Sequence, residues 1–190
     1  MTGTGPPTRT VVIVEGASDQ AAVLAVAARL GRDLSGERIL VAATGGATNI
    51  ARHLELLGPH GLGVRLAGLY DAAEERFVHG GLRRAGIGQT STRTDLERLG
   101  FFACVDDLEE ELIRALGVDA VLGVIERHRD LSAFHILQRQ PAHREQTDAQ
   151  RLRRFLGTTS GRKVEYAALL AAELDVTALP PPLERLFATL

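Results

Sequence analysis

The chain has 190 residues, of which 45% are hydrophobic and 24% charged, so it is long and apolar enough for one domain with a buried core and is not a disordered protein. No uninterrupted apolar run approaches the roughly 20 residues of a membrane span, and a single cysteine excludes an internal disulfide and a cysteine-based zinc site. The net charge of −2 is uneven: 12 arginines against 17 acids give residues 1–126 a net of −5, whereas nine basic residues against three acids give residues 127–163 a net of +6.

The start of the chain contains no apolar stretch before Val11. We therefore expect a flexible leader over residues 1–9 rather than a signal peptide. Together with the single cysteine, Cys104, this start favours the cytoplasm as the location, and no membrane partner is expected.

Four short apolar runs, at residues 11–14, 39–43, 64–70 and 101–105, predict β-strands. The first is continuous and β-branched, which is typical of a strand buried on both faces of a parallel sheet. A helical pattern follows the first strand, with Ser18 or Asp19 as its cap, and another covers about residues 73–84. Residues 85–95 are predicted to form a loop. This alternation predicts an α/β fold with a parallel sheet of about four strands flanked by helices.

After residue 117 the pattern is helical, with helices predicted at about 118–128, 131–138, 149–156, 163–174 and 183–189. The chain is therefore expected to consist of the leader, an α/β core over residues 10–117 and a helical C-terminal extension over residues 118–190. Because the extension is short for a core of its own, we expect it to pack on the α/β core.

Carboxylates follow three of the four strands, and the carboxyl ends of parallel strands are where ligands bind. The acids are Glu15 and Asp19, then Asp71, Glu74 and Glu75, and finally Asp106, Asp107, Glu109 and Glu110. Converging carboxylates are what Mg²⁺ or Mn²⁺ requires, and such ions catalyse phosphodiester chemistry. Several of these acids could instead cap helices and complement their dipoles. Since Glu15 ends a buried strand and has no obvious capping role, the set favours a metal site.

Glycines follow the first two strands, Gly16 after the first and Gly45 and Gly46 after the second. The N–H groups of a glycine turn before a helix can bind a phosphate. The same residues can equally form a tight turn with a helix cap. The sequence leaves both alternatives open.

Three segments together resemble the Toprim fold, the catalytic module of type IA and II topoisomerases, bacterial primases and several nucleases. They read VIVEGASD at residues 12–19, GGATN at residues 45–49 and AGLYD at residues 67–71. The later Asp107-Leu108-Glu109 and Arg162-Lys163-Val164 resemble the Toprim half of the OLD (overcoming lysogenization defect) family of nucleases. The resemblance covers about residues 10–175.

The resemblance implies a role for each matching residue. Glu15 corresponds to the glutamate that binds metal in OLD-like nucleases and acts as acid or base in topoisomerases. Asp19, Asp71 and Glu109 correspond to further metal-binding acids. Lys163 corresponds to the lysine near the cleaved phosphate, and it is the one lysine of the chain. A compact ammonium at that place would stabilise a phosphoryl transition state.

Two features depart from the family pattern. Position 73 is alanine where the Asp-x-Asp motif has its second acid, so Glu74 is the residue that could replace it as a metal ligand. The chain also has no Gly-x-x-x-x-Gly-Lys-Ser/Thr segment, so no nucleotide site is expected in it. An ATPase, if the activity needs one, would be a separate partner chain.

These observations predict a metal-dependent nuclease, or a nuclease-like phosphodiester enzyme, acting on DNA or RNA with Mg²⁺ or Mn²⁺. The basic stretch is expected to bind the nucleic-acid backbone through Arg151, Arg153, Arg154 and Arg162. The alternative is a catalytically impaired Toprim module that binds nucleic acid or a partner ATPase chain. A small-molecule phosphotransfer enzyme is a third interpretation, against which the basic stretch argues. The sequence makes no prediction about the oligomeric state.

Overall fold

In the computed structural model, which describes residues 10–157 and 161–190, four parallel strands form a sheet in the order β2-β1-β3-β4. The strands are β1 (Thr10–Val14), β2 (Ile39–Ala43), β3 (Arg65–Asp71) and β4 (Phe101–Cys104). The predicted fold class is confirmed, and every strand end lies within one residue of its expected place. The leader predicted over residues 1–9 lies outside the described residues.

Helices connect the strands and form most of the remaining described chain. They are α1 (Ala17–Arg29), α2 (Ile50–Leu57), α3 (Glu75–Arg84), α4 (Arg93–Arg98), α5 (Leu108–Leu116), α6 (Val118–Arg127), α7 (Leu131–Gln138), α8 (Asp148–Leu156), α9 (Arg162–Glu173) and α10 (Pro181–Thr189). The C-terminal part is thus helical, as predicted. Across residues 10–157 and 161–190, no helix combines the length and the apolar character that crossing a bilayer requires.

The side chains of β1 alternate between two cores, one on each face of the sheet. Val12 and Val14 pack into the larger core, to which α1 and the helices α5 to α10 contribute apolar residues. Val11 and Ile13 pack into the smaller core, which is closed by α2, α3 and α4. The helices after residue 117 therefore share a core with α1 and one face of the sheet.

Two local predictions were wrong, and both concern helix starts. Helix α1 is capped by Gly16 rather than by Ser18 or Asp19, because Asp19 lies inside the first turn and its Oδ2 accepts a hydrogen bond from the Gly16 N–H at 2.8 Å. The loop predicted over residues 85–95 contains the start of α4. Thr92 caps this helix, and Thr92 and Asp95 exchange hydrogen bonds as a capping box. A helix of six residues is too short to produce a periodic apolar pattern.

The order of the strands brings the ends of β1 and β3 to one crevice. The chain leaves β1 through α1 on one face of the sheet, whereas it leaves β3 through α3 on the other face. Connections that diverge to opposite faces open a gap at the carboxyl ends of the two strands, where open α/β sheets bind ligands. Glu15 follows β1 and Asp71 ends β3, so both lie at this gap.

Candidate metal centre

The main chain of Glu15 is held in place by the turn that follows β2. The Glu15 carbonyl oxygen accepts hydrogen bonds from the N–H groups of Gly45 at 3.0 Å and Gly46 at 3.1 Å, and from the Thr44 hydroxyl at 3.3 Å. Both glycines have positive φ, +74° and +125°, which other residues rarely adopt. In this arrangement the glycine N–H groups are occupied by protein, so their role here is to fix the turn and the glutamate rather than to hold a phosphate.

The first helical turn of α1 places Asp19 beside Glu15. Because its Oδ2 accepts the Gly16 N–H, the Asp19 carboxylate is directed back towards the strand end. The Glu15 Oε2 atom is enclosed by protein and accepts no hydrogen bond from the described residues. An enclosed carboxylate oxygen without a partner costs free energy unless a cation or a proton satisfies it.

Asp71 ends β3 on the face of the sheet that α1 covers, because it alternates in step with Leu69 of the larger core. Burial, followed by the charges of Glu15 and Asp19, raises the pKa of Asp71 to about 7. Burial is also the main cause that raises the pKa of Asp19 to about 6, and the charge of Glu109 adds to it. These shifts show that the carboxyl groups lie close enough to repel one another.

Glu109 lies in the first turn of α5 and is 2% exposed. Neither of its carboxylate oxygens accepts a hydrogen bond of normal geometry from the described residues, but the Lys163 Nζ lies 3.2 Å from Oε2 as an ion pair. Burial would lower the pKa of Lys163, but the Glu109 carboxylate, with help from Asp19, outweighs burial and raises the Lys163 pKa. The Lys163 side chain is 49% exposed, so the charged lysine contacts a buried acid and also reaches solvent.

Glu74 also contributes to the same site, since burial and then the charge of Glu74 raise the pKa of Glu15. The exposed residue before it is Ala73, where the family pattern has an acid. Electrostatic interactions thus link the acids predicted as metal ligands, and we refer to them as the carboxylate cluster: Glu15, Asp19, Asp71, Glu74 and Glu109.

The chemistry of the carboxylate cluster fits a hard divalent cation. Within the part of the chain that the structure describes, no three Asp, Glu, His or Cys side chains already surround a common point at metal-binding distance. The donors are nevertheless carboxylate oxygens, which Mg²⁺ and Mn²⁺ prefer. Three of these oxygens, one of Glu15 and two of Glu109, are buried without a hydrogen-bond partner among the described residues. A cation would remove the cost of burying them.

Asp107 was predicted among the acids at the strand ends, either near the metal or as a helix cap, but not as a metal ligand. It does cap α5, since its Oδ1 accepts the Glu110 N–H at 2.8 Å. Its Oδ2 also pairs with Arg153 of α8, at 2.6 Å to Nη2 and 2.8 Å to Nε. The capping role was visible in the sequence, but a partner 46 residues further along was not.

Glu111 is a buried acid that the sequence analysis did not single out. It is 3% exposed, but its Oε1 accepts the Val105 N–H at 2.9 Å and its Oε2 pairs with Arg114 at 3.0 Å. Because both oxygens have partners, Glu111 stabilises the end of β4 and is not a metal ligand. Glu109 differs from Glu111 because, in the part of the chain that the structure describes, neither of its oxygens accepts a hydrogen bond, and only the structure shows this difference.

The four arginines predicted to bind nucleic acid lie in different surroundings. Arg151 is engaged inside the protein, donating to the carbonyl oxygens of His143 at 2.9 Å and Arg144 at 2.8 Å. Arg162 lies 4.3 Å from the centre of the Phe155 ring and 3.5 Å from Asp130 Oδ2. The other two are exposed: Arg153 faces the carboxylate cluster through Asp107, and the Arg154 guanidinium contacts no acid in the described residues.

The raised pKa values predict how pH changes the stability of the metal-free protein. A carboxyl group whose pKa is higher in the folded state holds its proton more tightly when folded, so its contribution to stability is full below about pH 4. That contribution is lost as pH rises through the folded pKa of about 7 for Asp71. In excess chelator, wild type should therefore lose melting temperature between about pH 4 and pH 7 relative to Asp71→Asn, whose amide does not titrate. Parallel melting-temperature curves for the two proteins would contradict the electrostatic coupling in the cluster.

Comparisons with known proteins concern the family and the fold of the chain. Residues 8–72 match the family model for the TOPRIM domain of overcoming lysogenization defect (OLD) protein-like proteins. A platinum-phased structure of the C-terminal region of the Xanthomonas campestris pv. campestris OLD protein superposes with a TM-score of 0.74, at 24% identity over 95% of this chain and 91% of that chain. The C-terminal region of the Burkholderia pseudomallei OLD protein superposes with a TM-score of 0.69, at 21% identity over 96% of each chain.

Comparison with curated proteins gave no sequence match. At the identities found among solved structures, the similarity is one of fold. The sequence resemblance is confirmed at that level: the chain matches the OLD-like TOPRIM domain over residues 8–72 and has the fold of the C-terminal region of OLD proteins.

Proposed function

We propose that this chain is a divalent-metal-dependent nuclease, or a nuclease-like phosphodiester enzyme, that acts on DNA or RNA. The match to the OLD-like TOPRIM domain suggests a nucleic-acid-related, metal-dependent function in general terms. The single observation that carries the finer proposal is the set of buried carboxylate oxygens of Glu15 and Glu109 that have no hydrogen-bond partner within residues 10–157 and 161–190, beside the half-exposed Lys163. A site that holds both acids and a cation can bind metal and phosphate together.

The carboxylate cluster would hold Mg²⁺ or Mn²⁺. A metal there supplies a more acidic bound water and neutralises charge on the phosphate. Glu15 and Glu109 would be the central ligands because their oxygens are enclosed, and Asp19 and Asp71 would complete the set. Glu74 would take the place of the acid missing at position 73, since its charge reaches Glu15.

Lys163 would stabilise the transition state. Its ammonium keeps its proton because acids surround it, and its exposed half lies where a phosphate can approach. A fixed positive charge beside the reacting phosphate interacts most strongly when negative charge develops on its oxygens. In that position the lysine raises the rate of cleavage more than the affinity for substrate.

The proposal is tested by cleavage of supercoiled plasmid and of single-stranded oligonucleotides with Mg²⁺, Mn²⁺ or chelator. Wild type should cleave with metal alone, and Glu15→Gln, purified identically, should be slower by roughly 10²-fold or more because it loses a central ligand. Glu110→Gln is the matched control, since Glu110 lies next to Glu109 in α5 but outside the carboxylate cluster. Equal rates for wild type and Glu15→Gln would reject the enzyme.

Nucleic-acid binding should depend on salt and on the exposed arginines of α8. Replacing Arg154 by alanine should weaken binding and reduce the slope of log K against log salt by about one, because one phosphate contact and its released counterion are lost. Fluorescence anisotropy with a labelled oligonucleotide over a series of KCl concentrations measures both quantities. Arg83→Ala changes the net charge equally on α3, which packs on the opposite face of the sheet, and should leave the slope unchanged. An unchanged slope in Arg154→Ala would place the binding surface elsewhere.

A second candidate function is a Toprim module that binds nucleic acid or a partner ATPase chain without cleaving. The exposed alanine at position 73 favours it, since a second metal would have one acid fewer. The two functions differ in one outcome. A binding module would show the salt-dependent affinity, with its dependence on Arg154, but no metal-dependent cleavage by wild type.

A further inference from the structure

A polar pocket of about 410 Å³ lies against α8. The described residues that line it are Gln146, Gln150, Arg153, Arg154 and Gly157. Gln150, Arg153 and Arg154 share one face of α8, whereas Gln146 precedes the helix and Gly157 is its C-cap. On the other face of α8, Leu152 and Phe155 are buried in the larger core. The helix is therefore anchored by its apolar face, and its polar face lines the pocket.

The pocket offers hydrogen-bond donors and positive charge. Gln150 Oε1 accepts the Thr147 N–H at 2.9 Å, which identifies it as the oxygen and leaves the Nε2 donor of Gln150 for the pocket. Gln146 Oε1 lies 3.1 Å from His143 Nδ1, so its Nε2 is available in the same way. The guanidinium of Arg154 adds further donors. No carboxylate is among the described residues that line the pocket, so its chemistry fits an anion.

Arg153 connects the pocket with the carboxylate cluster. It lines the pocket and at the same time pairs with Asp107 at 2.6 Å. Asp107 begins α5, whose first turn carries Glu109. Arg153 and Asp107 therefore join the pocket to the helix that carries Glu109 of the carboxylate cluster. A row of negative groups is what a polynucleotide strand provides.

We propose that this pocket binds a backbone phosphate of the nucleic-acid strand, next to the phosphate at the carboxylate cluster. The inference rests on the proposed function and adds to it the path of the strand, which runs from the cluster across Arg153 and along α8. A free phosphate ion has the same chemistry as a backbone phosphate, so the experiment uses both.

The decisive variant is Gln150→Glu. A glutamate at this position keeps the capping box with Thr147 and suits the helix N-terminus, so the fold and melting temperature should be retained. It replaces an amide donor in the pocket by a negative charge, so anion binding should fall by at least about tenfold. Arg154→Ala should have a similar effect, and Arg83→Ala on the opposite face should have none.

Two probes are titrated calorimetrically into the chelator-treated full chain at constant ionic strength. Inorganic phosphate measures binding of a single anion, which the difference between wild type and Gln150→Glu assigns to the pocket, and a single-stranded oligonucleotide without terminal phosphates measures backbone binding. We expect Gln150→Glu and Arg154→Ala to weaken both probes. Loss of phosphate binding with unchanged oligonucleotide binding would make this a site for free phosphate and overturn the proposal, as would unchanged binding of both probes.

This outcome is independent of cleavage. Both titrations are made without metal, so they do not depend on cleavage. If wild type does not cleave but Gln150→Glu still weakens anion binding, the nuclease is rejected and the phosphate pocket is supported. Conversely, suppose that wild type cleaves nucleic acid and that wild type and Gln150→Glu bind both probes with equal affinity. That result would support the nuclease and reject the phosphate pocket.

Discussion

Replacing Lys163 by alanine should lower the rate of metal-dependent cleavage by about 10²-fold or more, the effect of removing one preorganised charge donor. The physical reason is that the ammonium, held beside Glu109 and half exposed, is positioned to oppose charge that grows in the transition state. Single-turnover cleavage rates at saturating substrate isolate this effect from binding. Lys163→Arg should also be slow, because the planar guanidinium group of arginine does not reproduce the contact of a compact ammonium with one phosphate oxygen.

A second measurement separates catalysis from a structural role of the lysine. Lys163 is the ion-pair partner of the buried Glu109, so it could serve only to keep that carboxylate in place. In that case Lys163→Ala would weaken Mn²⁺ binding. If the lysine acts on the phosphate, Mn²⁺ affinity should be equal or higher, since a positive charge that competes for Glu109 has been removed. Equal cleavage rates in wild type and Lys163→Ala would exclude the lysine from the mechanism.

Mg²⁺ or Mn²⁺ should raise the melting temperature of wild type, and Glu15→Gln and Asp71→Asn should each lose most of that increase. Metal at about 100 times its dissociation constant stabilises a protein by about 2.7 kcal/mol, which corresponds to roughly 5–10 °C for a domain of this size. Glu15 is expected to contribute strongly because its Oε2 is enclosed and has no hydrogen-bond partner in the described residues. Thermal unfolding with and without metal measures the increase.

The same variants should behave in the opposite way without metal. Both substitutions remove a charge from a cluster whose acids repel one another, so in chelator at neutral pH each variant should be at least as stable as wild type. Glu110→Gln, the matched control, should keep the full stabilisation by metal. If the double variant Glu15→Gln, Asp71→Asn binds Mn²⁺ as tightly as wild type in calorimetry, the metal does not bind at the carboxylate cluster.

Much of the fold could be predicted because its signals are local. The β-branched run before Glu15 and the apolar runs of the other strands predicted each strand to within one residue. The alternation of strand and helix patterns predicted a parallel sheet, since parallel strands require crossover helices. The short helix α4 was missed, because six residues give no period and only its capping box marks it.

The residues of the site were predicted from where strands end, but their surroundings were not. Asp71 and Glu15 follow strands in the sequence, and a parallel sheet places such residues at one edge. The sequence left the glycine turn after β2 open between phosphate binding and a structural turn. The structure shows its N–H groups donating to the Glu15 carbonyl oxygen, which is a contact between residues 30 positions apart.

The sequence by itself therefore determined the strands, the helical C-terminal part and the acids at the strand ends, because these depend on side-chain periodicity and on local backbone preference. Only the tertiary structure decided the strand order, the pairing of Arg153 with Asp107, and the ion pair of Lys163 with the buried Glu109. Helices distant in sequence pack on a common core and so bring these charges together. Burial then strengthens the interactions between these charges, because a charge enclosed by apolar side chains loses its water and depends on the groups that folding places beside it.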